Sequence, residues 1–231
     1  MISIVIPTYE MHGRGVEFLN ELITSILRQN YRNYEVVVSD DSDGNEIYNF
    51  LSGAGFLISG GIPYVHYHRN PGPKGAAFNL NNAISHAKGD IIKPMFQDDQ
   101  FLDTDCLAKI AAMTGQWCVL TSAHTSDRGD HVPYPAPAPA ELATGVNTFG
   151  SPSAVAWKYN NMAMDTNLQW LFDCDFYARM LTLHGQPEFI PAKVLIREWD
   201  GMATRTNAAG QVRITELEYI KQKYESTNHG N

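Results

Sequence analysis

Ile91-Ile92-Lys93-Pro94-Met95-Phe96-Gln97-Asp98-Asp99-Gln100 is an apolar run that stops at two adjacent carboxylates. A short apolar run closed by polar residues reads as a buried strand with the acids at its C-terminal tip. In open α/β sheets that tip is where ligands bind. Neighbouring carboxylates in a concave site repel unless a proton or a cation stands between them. A hard divalent metal that also holds phosphate oxygens is one solution. Taken alone, Asp98-Asp99 is equally a solvated loop after a strand, and the rest of the chain decides between the two.

Upstream, the pattern repeats. Ile2 to Ile6 is a compact apolar run ended by Pro7, with Pro7-Thr8-Tyr9-Glu10 as the loop at its tip. Leu19, Leu22, Ile23, Ile26 and Leu27 share one helix face by their three-and-four spacing. Glu35 to Ser39 is a second strand, ending at Asp40-Asp41-Ser42-Asp43-Gly44. Glu46 to Leu51 predicts a short helix, and Gly53 to Gly61 is glycine-rich. Ile62 to Tyr67 predicts a third strand, and Asn70-Pro71-Gly72-Pro73-Lys74-Gly75 a turn-rich loop. Leu80, Ala83, Ile84 and Ala87 give a helix stopped by Gly89.

Strands alternating with helices in this way predict an α/β fold with a mostly parallel, doubly wound, Rossmann-like central sheet flanked by helices. If its strands are neighbours, the polar clusters at Thr8 to Glu10, Asp40-Asp41 and Asp98-Asp99 converge on one edge. The chain has neither the G-x-G-x-x-G loop of dinucleotide enzymes nor a Walker A loop.

Downstream, the sequence predicts a helix from about Asp103 to Thr114 and a strand over Trp117 to Thr121. Prolines 133, 135, 137 and 139 alternate through His131 to Ala140, which predicts an extended surface run. Gly150-Ser151-Pro152-Ser153-Ala154 follows, then Trp170-Leu171-Phe172-Asp173, a strand-like Phe189 to Ile196, and a polar irregular stretch from Arg197 to Asn207. Ile214, Leu217, Ile220 and Tyr224 predict an amphipathic C-terminal helix. The expected organisation is one domain: residues 1–125 as a nucleotide half, 126–213 as a smaller acceptor half, and 214–231 as helix and tail.

The 231 residues are 44% hydrophobic and 18% charged, which suits a single large core. The net charge of −8 comes without any basic stripe, so no nucleic-acid partner is expected. Cys106, Cys118 and Cys174 lie far apart, against a disulfide framework or a zinc site. No basic segment leads into a long apolar run, and no stretch approaches the roughly 20 apolar residues of a membrane helix. The expectation is a soluble cytoplasmic protein without an integral membrane segment.

In order and rough spacing, these motifs resemble glycosyltransferase family 2, the inverting enzymes with a GT-A fold. The likeness rests on Ile4-Val5-Ile6-Pro7-Thr8-Tyr9, Val36-Val37-Val38-Ser39-Asp40-Asp41, the Asn70 to Gly75 loop before a helix with Asn79, and Asp98-Asp99. It continues through Gly150 to Ala154 and Trp170-Leu171-Phe172-Asp173 with Arg179 six residues on. It extends to about Thr206.

The resemblance implies a nucleotide-sugar donor, most simply a UDP-sugar, and a glycan, lipid-linked or other hydroxyl acceptor. It implies that Pro7, Thr8, Tyr9 and Glu10 line the base and ribose. Asp41, supported by Asp40, would accept from the base N–H. Lys74 or its loop would lie over base or diphosphate, and Asp98 would face the ribose. Asp99 would ligate Mn²⁺ or Mg²⁺ on the diphosphate, and Asp173 would be the general base. Trp199 stands near the place where relatives often carry a histidine, so Trp170 and Trp199 are candidate acceptor walls and Arg205 a candidate phosphate contact. Phe172 stands where many relatives have an acid.

Plainer readings exist beside these. Asp43 suits a helix cap, Asp175 and Arg179 an i,i+4 pair, Trp157 and Trp170 the core, and Lys74 a solvated loop charge. The functional alternatives are a sugar-phosphate nucleotidyltransferase, which should carry a glycine- and arginine-rich loop after its first strand, and a non-catalytic nucleotide- or carbohydrate-binding module.

Overall fold

Strand β1 (Ile2–Thr8) is buried along its whole length, as a strand covered on both faces must be. The computed structural model describes residues 1–58, 64–125, 129–136, 138–199 and 208–228. β1 pairs in parallel with β2 (Tyr34–Asp40) on one side and β4 (Ile91–Pro94) on the other, and β2 carries β3 (Val65–Arg69), also parallel. Helices α1 (Gly15–Leu27), α2 (Glu46–Gly53) and α3 (Ala76–Ser85) make the crossovers. The apolar stripe of α1, with Phe18, Leu19, Leu22, Ile23 and Ile26, lies buried in the core. The chain therefore winds outward from β1 to β3 and returns to lay β4 on the opposite flank. This reversal opens a crevice between the ends of β1 and β4.

The second half adds β5 (Gln100–Phe101), α4 (Cys106–Ala111), β6 (Trp117–His124), β7 (Asp130–His131), α5 (Pro139–Ala143), β8 (Val155–Lys158), α6 (Phe172–His184), β9 (Glu188–Ile196) and α7 (Ala208–Asn228). The strand order is β3-β2-β1-β4-β8-β6-β9-β5, with β7 on β6. β8 is antiparallel to both β4 and β6, and β9 is parallel to β6. So β6 and β9 run in the same direction as β1 and β4, and their C-terminal ends reach the same edge. An aromatic cluster fills the core beneath: Trp117 meets Phe149 at 5.1 Å, and Trp157 meets Phe176 at 4.7 Å between ring centroids. Trp157 is thus a core residue. Among the described residues no helix is long and apolar enough to cross a membrane.

Several boundaries differ from the sequence reading, each for a local reason. β4 stops at Pro94, four residues before Asp98. Met95 N–H still donates to Val5 O (3.0 Å), but Phe96 N–H turns to Ser153 Oγ (2.8 Å). The acids therefore sit in a turn closed by Asp99 N–H on Phe96 O (3.0 Å) rather than on the strand itself. β3 extends through His68 and Arg69, and residues 59–63 of the glycine-rich stretch and the expected strand start lie outside the described residues. The expected helix over Asp103 to Thr114 is the shorter α4. The proline-alternating run is not extended throughout. Asp130–His131 pairs with β6, and Pro139, with no N–H to lose, starts α5. The C-terminal helix begins at Ala208, six residues before Ile214. Asp43 makes no cap: it pairs with Lys74 at 2.6 Å. Asp175 does pair with Arg179, at 2.9 Å.

Candidate functional site

A cavity of about 660 Å³ opens at the β1–β4 crevice. Its walls come from four strand ends: Pro7 near the end of β1 with Tyr9, Glu10 and Met11 beyond it, Asp41 after β2, Phe96 to Asp99 after β4, and Arg197 and Trp199 after β9. Lys74, Gly75, Ala76 and Asn79 close one side where α3 begins, and Ser151 and Gln169 close another.

The loop after β1 is shaped by unusual backbone. Met11 and His12 both have positive φ (44° and 54°), a conformation that costs non-glycine residues energy and persists only when the surroundings impose it. Gln97 is one such constraint. Its Oε1 accepts from Tyr9 N–H (2.9 Å) and its Nε2 donates to Gly15 O (2.6 Å), tying the loop after β4 to the loop after β1.

Asp41 is half-buried with both carboxylate oxygens engaged. Asn70 Nδ2 donates to Oδ1 (2.6 Å) and Gly75 N–H to Oδ2 (2.8 Å). Gly75 has φ 137°, open only to glycine, and this turns its N–H toward Asp41 at the start of α3. Asp40 is different. It is fully buried and holds Arg69 (2.8 Å), Tyr67 OH (2.7 Å) and Ser42 N–H (3.0 Å), so it braces the tip of β2 from behind and does not line the cavity. Thr8 is likewise buried outside the lining, its hydroxyl donating to Ser39 O (3.1 Å), while its carbonyl accepts from Asp41 N–H (2.8 Å) and Asn79 Nδ2 (2.9 Å).

Asp98 and Asp99 both line the cavity. Burial raises the carboxyl pKa of each. For Asp99 the rise is large, burial being joined by the neighbouring charge of Asp98 and partly opposed by bonds from Ser153 and Arg197 N–H. Asp98 Oδ2 accepts from Trp199 Nε1 (3.0 Å), and Asp99 Oδ1 accepts from Arg197 N–H (3.0 Å). Arg197 also grips the turn through Nε on Asp98 O (3.2 Å), while its guanidinium pairs with Glu21 and lies over the Phe18 ring.

Two adjacent hard-oxygen carboxylates held at raised pKa fit a divalent cation whose remaining ligands come from elsewhere. Among the described residues no group of three or more His, Cys, Asp or Glu side chains is placed to enclose a metal alone.

Asp173 does not line the cavity. It stands in the first turn of α6, behind Phe172, whose ring faces the lining residue Phe96 at 6.4 Å. Its Oδ1 accepts from Cys174 N–H (2.7 Å), and Asn147 Nδ2 reaches both its Oδ2 (3.4 Å) and Gly150 O (3.0 Å), beside the lining residue Ser151. Burial pushes its pKa up to about 6, with the nearby charge of Glu216 adding to the rise. Trp170 lies beneath the Arg213 guanidinium at 4.7 Å and outside the lining. Arg205 lies outside the described residues.

Sequence reasoning missed Gln97, Arg197 and Glu216. Arg197 was within reach, since it follows a predicted strand exactly as Asp98 does. Nothing local marks the other two.

The sequence model of the family described as "Glycosyl transferase family 2" matches residues 3–179. An Escherichia coli K12 protein named "Putative colanic acid biosynthesis glycosyl transferase WcaA" is 26% identical over 201 residues, covering 81% of this chain and 68% of that protein. Staphylococcus aureus TarS (residues 1–349, in complex with UDP) superposes with a TM-score of 0.62 at 15% identity, over 93% of this chain and 64% of its own. The mannosyltransferase PcManGT of Pyrobaculum calidifontis, in complex with GDP-Man and Mn²⁺, gives 0.62 at 16% identity, over 92% of this chain and 60% of its own. The chain thus spans less than two thirds of either solved chain. The family match takes in well over half of this chain, from β1 into α6, so the chain belongs to glycosyl transferase family 2 and is a glycosyltransferase with the GT-A fold.

Proposed function

We propose that the protein is a metal-dependent, inverting glycosyltransferase that moves a sugar from a UDP-sugar to an acceptor hydroxyl. The observation that carries this reading is the meeting of Asp41, Asp98 and Asp99, from two separate strand ends, in one cavity at the sheet's switch point. Asp41 accepts the base N–H, with Tyr9 and Pro7 against the ring and Lys74 over the base or diphosphate. Glu10 and Asp98 face the ribose, with Thr8 and Asp40 bracing this wall from behind. Asp99 holds Mn²⁺ or Mg²⁺, which when bound neutralises charge on the diphosphate leaving group.

The sugar carbon becomes oxocarbenium-like as its bond to phosphate breaks. Asp173 takes the proton of the incoming hydroxyl on the opposite face. A single base and no carboxylate nucleophile give inversion. Trp199, on the cavity wall, offers an apolar face to sugar or acceptor, Trp170 serves the acceptor side, and Arg205 is assigned to phosphate by the family resemblance alone. The acceptor is a glycan, a lipid-linked sugar or another hydroxyl compound, met in the cytoplasm.

Family membership sets aside the nucleotidyltransferase alternative. Calorimetry with UDP and Mn²⁺, followed by assay of UDP release from a panel of UDP-sugars, separates an enzyme from a binding module. Asp99→Ala is expected to lose Mn²⁺-dependent UDP binding and at least about 100-fold in turnover, the scale of losing a central electrostatic stabiliser, while keeping its circular dichroism spectrum. Undiminished Mn²⁺-dependent turnover in that variant rules out the metal assignment.

A further inference from the structure

The first turn of α6 is fastened from outside the region shared with the family. Glu216, on α7, is 5% exposed and points its carboxylate at the three residues that lead into α6. Gln169 N–H donates to Oε1 (2.6 Å), Trp170 N–H to both oxygens (3.1 and 3.0 Å), and Leu171 N–H to Oε2 (2.8 Å). Three successive N–H groups converging on one anion form a backbone nest. This nest lies at the positive end of a 13-residue helix, where a negative charge is favoured. Two residues further on, Asp173 Oδ1 accepts from the Cys174 N–H at that helix end.

We propose that Glu216 is a positioning residue for Asp173: it fixes the loop that aims the base and occupies the anion site that would otherwise stabilise the base's ionised form. This rests on the reading of Asp173 as general base.

The physical consequence is a division of labour between two carboxylates at one helix end. Glu216 takes all three N–H groups of the nest. Burial, with the nearby charge of Glu216 as a smaller addition, raises Asp173 to about 6, and a base whose pKa lies near the working pH takes a proton best. Few other charges face Asp173. Cys174 and Tyr177 flank it on its own helix, both with pKa values pushed up by burial and by Asp173 itself. Asn147 faces it from the preceding loop as a neutral donor, and Arg213 of α7 lies near enough to Cys174 to lower that thiol's pKa. A second set of contacts anchors α7 independently of this nest. Lys223 pairs with Asp165 (2.6 Å) and Asp175 (2.7 Å), and Tyr219 OH donates to Asp165 (2.9 Å). α7 is therefore expected to stay docked when Glu216 is altered.

The test measures Mn²⁺-dependent UDP release against pH for the wild type, Glu216→Gln and Glu216→Asp, using whichever of UDP-glucose, UDP-galactose and UDP-N-acetylglucosamine turns over fastest. Glu216→Gln keeps one acceptor oxygen for the nest, replaces the other with an amide NH2, and removes the charge. It is expected to move the acidic limb of kcat downward by a few tenths of a pH unit and lower kcat several-fold, with donor KM within about twofold. Glu216→Asp keeps the charge and is expected to leave the limb in place while lowering kcat, which serves also if the Gln variant does not fold. An unmoved limb in a folded Glu216→Gln, or a loss carried by donor KM in either variant, overturns the proposal. Asp173→Asn run in parallel separates the two readings: retained turnover there removes the base assignment itself, whereas lost turnover beside an unmoved Glu216→Gln limb removes only the role of Glu216.

Discussion

Asp173, the proposed base, shows how a proposed functional role and stability pull apart at the level of one side chain. Its pKa of about 6 exceeds the ordinary aspartate value of 3.8, so the folded chain binds a proton more tightly than the unfolded chain. Its contribution to stability is therefore greatest at acid pH and is lost as pH rises through that window, about 2 to 3 kcal/mol in all for a shift of this size. Asp173→Asn cannot ionise, and its Oδ1 still accepts from Cys174 N–H. The variant is expected to be more stable than the wild type above pH 6, by about 1 to 3 kcal/mol in urea unfolding, and to bind UDP normally while UDP release is lost. Wild-type turnover should rise with pH through about 6, as expected of a base that must be ionised. A variant that is both less stable and weaker in UDP binding would reassign Asp173 to structure. The sequence proposes this residue through Trp170-Leu171 before it, but nothing local links it to Glu216, which lies 43 positions further along the chain.

At the scale of elements, β4 explains both what the sequence revealed and what it concealed. The apolar run and the acids were visible, and the end of the strand was not. Pro94 and the bond from Phe96 N–H to Ser153 Oγ turn the chain early, and Ser153 arrives from a segment 57 residues away. Lys93 reinforces that junction from within. It is fully buried, and its ammonium donates to Pro94 O (3.0 Å), Val155 O (3.4 Å) and Ser153 O. Burial lowers its pKa from 10.5 to about 8. Below pH 8 the folded chain bears the cost of a desolvated charge. Between 8 and 10.5 the folded chain releases the proton while the unfolded chain keeps it, so this residue's contribution to stability rises with pH, by about 3 kcal/mol at most. Lys93→Met removes that titration along with the bonds. Urea unfolding of both proteins at pH 7.5 and pH 10 is expected to show the wild type gaining on the variant by about 2 kcal/mol or more at the higher pH. A constant difference across that range would mean that the amine is not titrating in the fold.

Over the whole molecule, strand direction decided the site. Alternating strands and helices made the parallel N-terminal half readable, and parallel strands gather their C-terminal ends on one edge, so the convergence of Asp41 with Asp98-Asp99 followed from the pattern alone. The same rule reaches Arg197 and Trp199 only once β8 is known to run antiparallel to both β4 and β6, which leaves β6 and β9 in the direction of β1. No local pattern announces that. The resulting edge is acidic in a chain of net charge −8, and under the proposed function a nucleoside diphosphate would bring further negative charge to the wall that holds Asp98 and Asp99. Binding should then depend on a cation across the whole fold's stability. A ligand that binds only the folded state at 100 times its Kd adds about 2.7 kcal/mol, equivalent to roughly 5 to 10 °C in Tm for a chain of this size. UDP with Mn²⁺ is expected to raise Tm on that scale, UDP with EDTA by little, and UMP with Mn²⁺ by distinctly less than UDP, because it lacks the second phosphate. Equal shifts with and without the metal would show that UDP is held by the protein's own groups and that Asp98 and Asp99 need no cation to receive it.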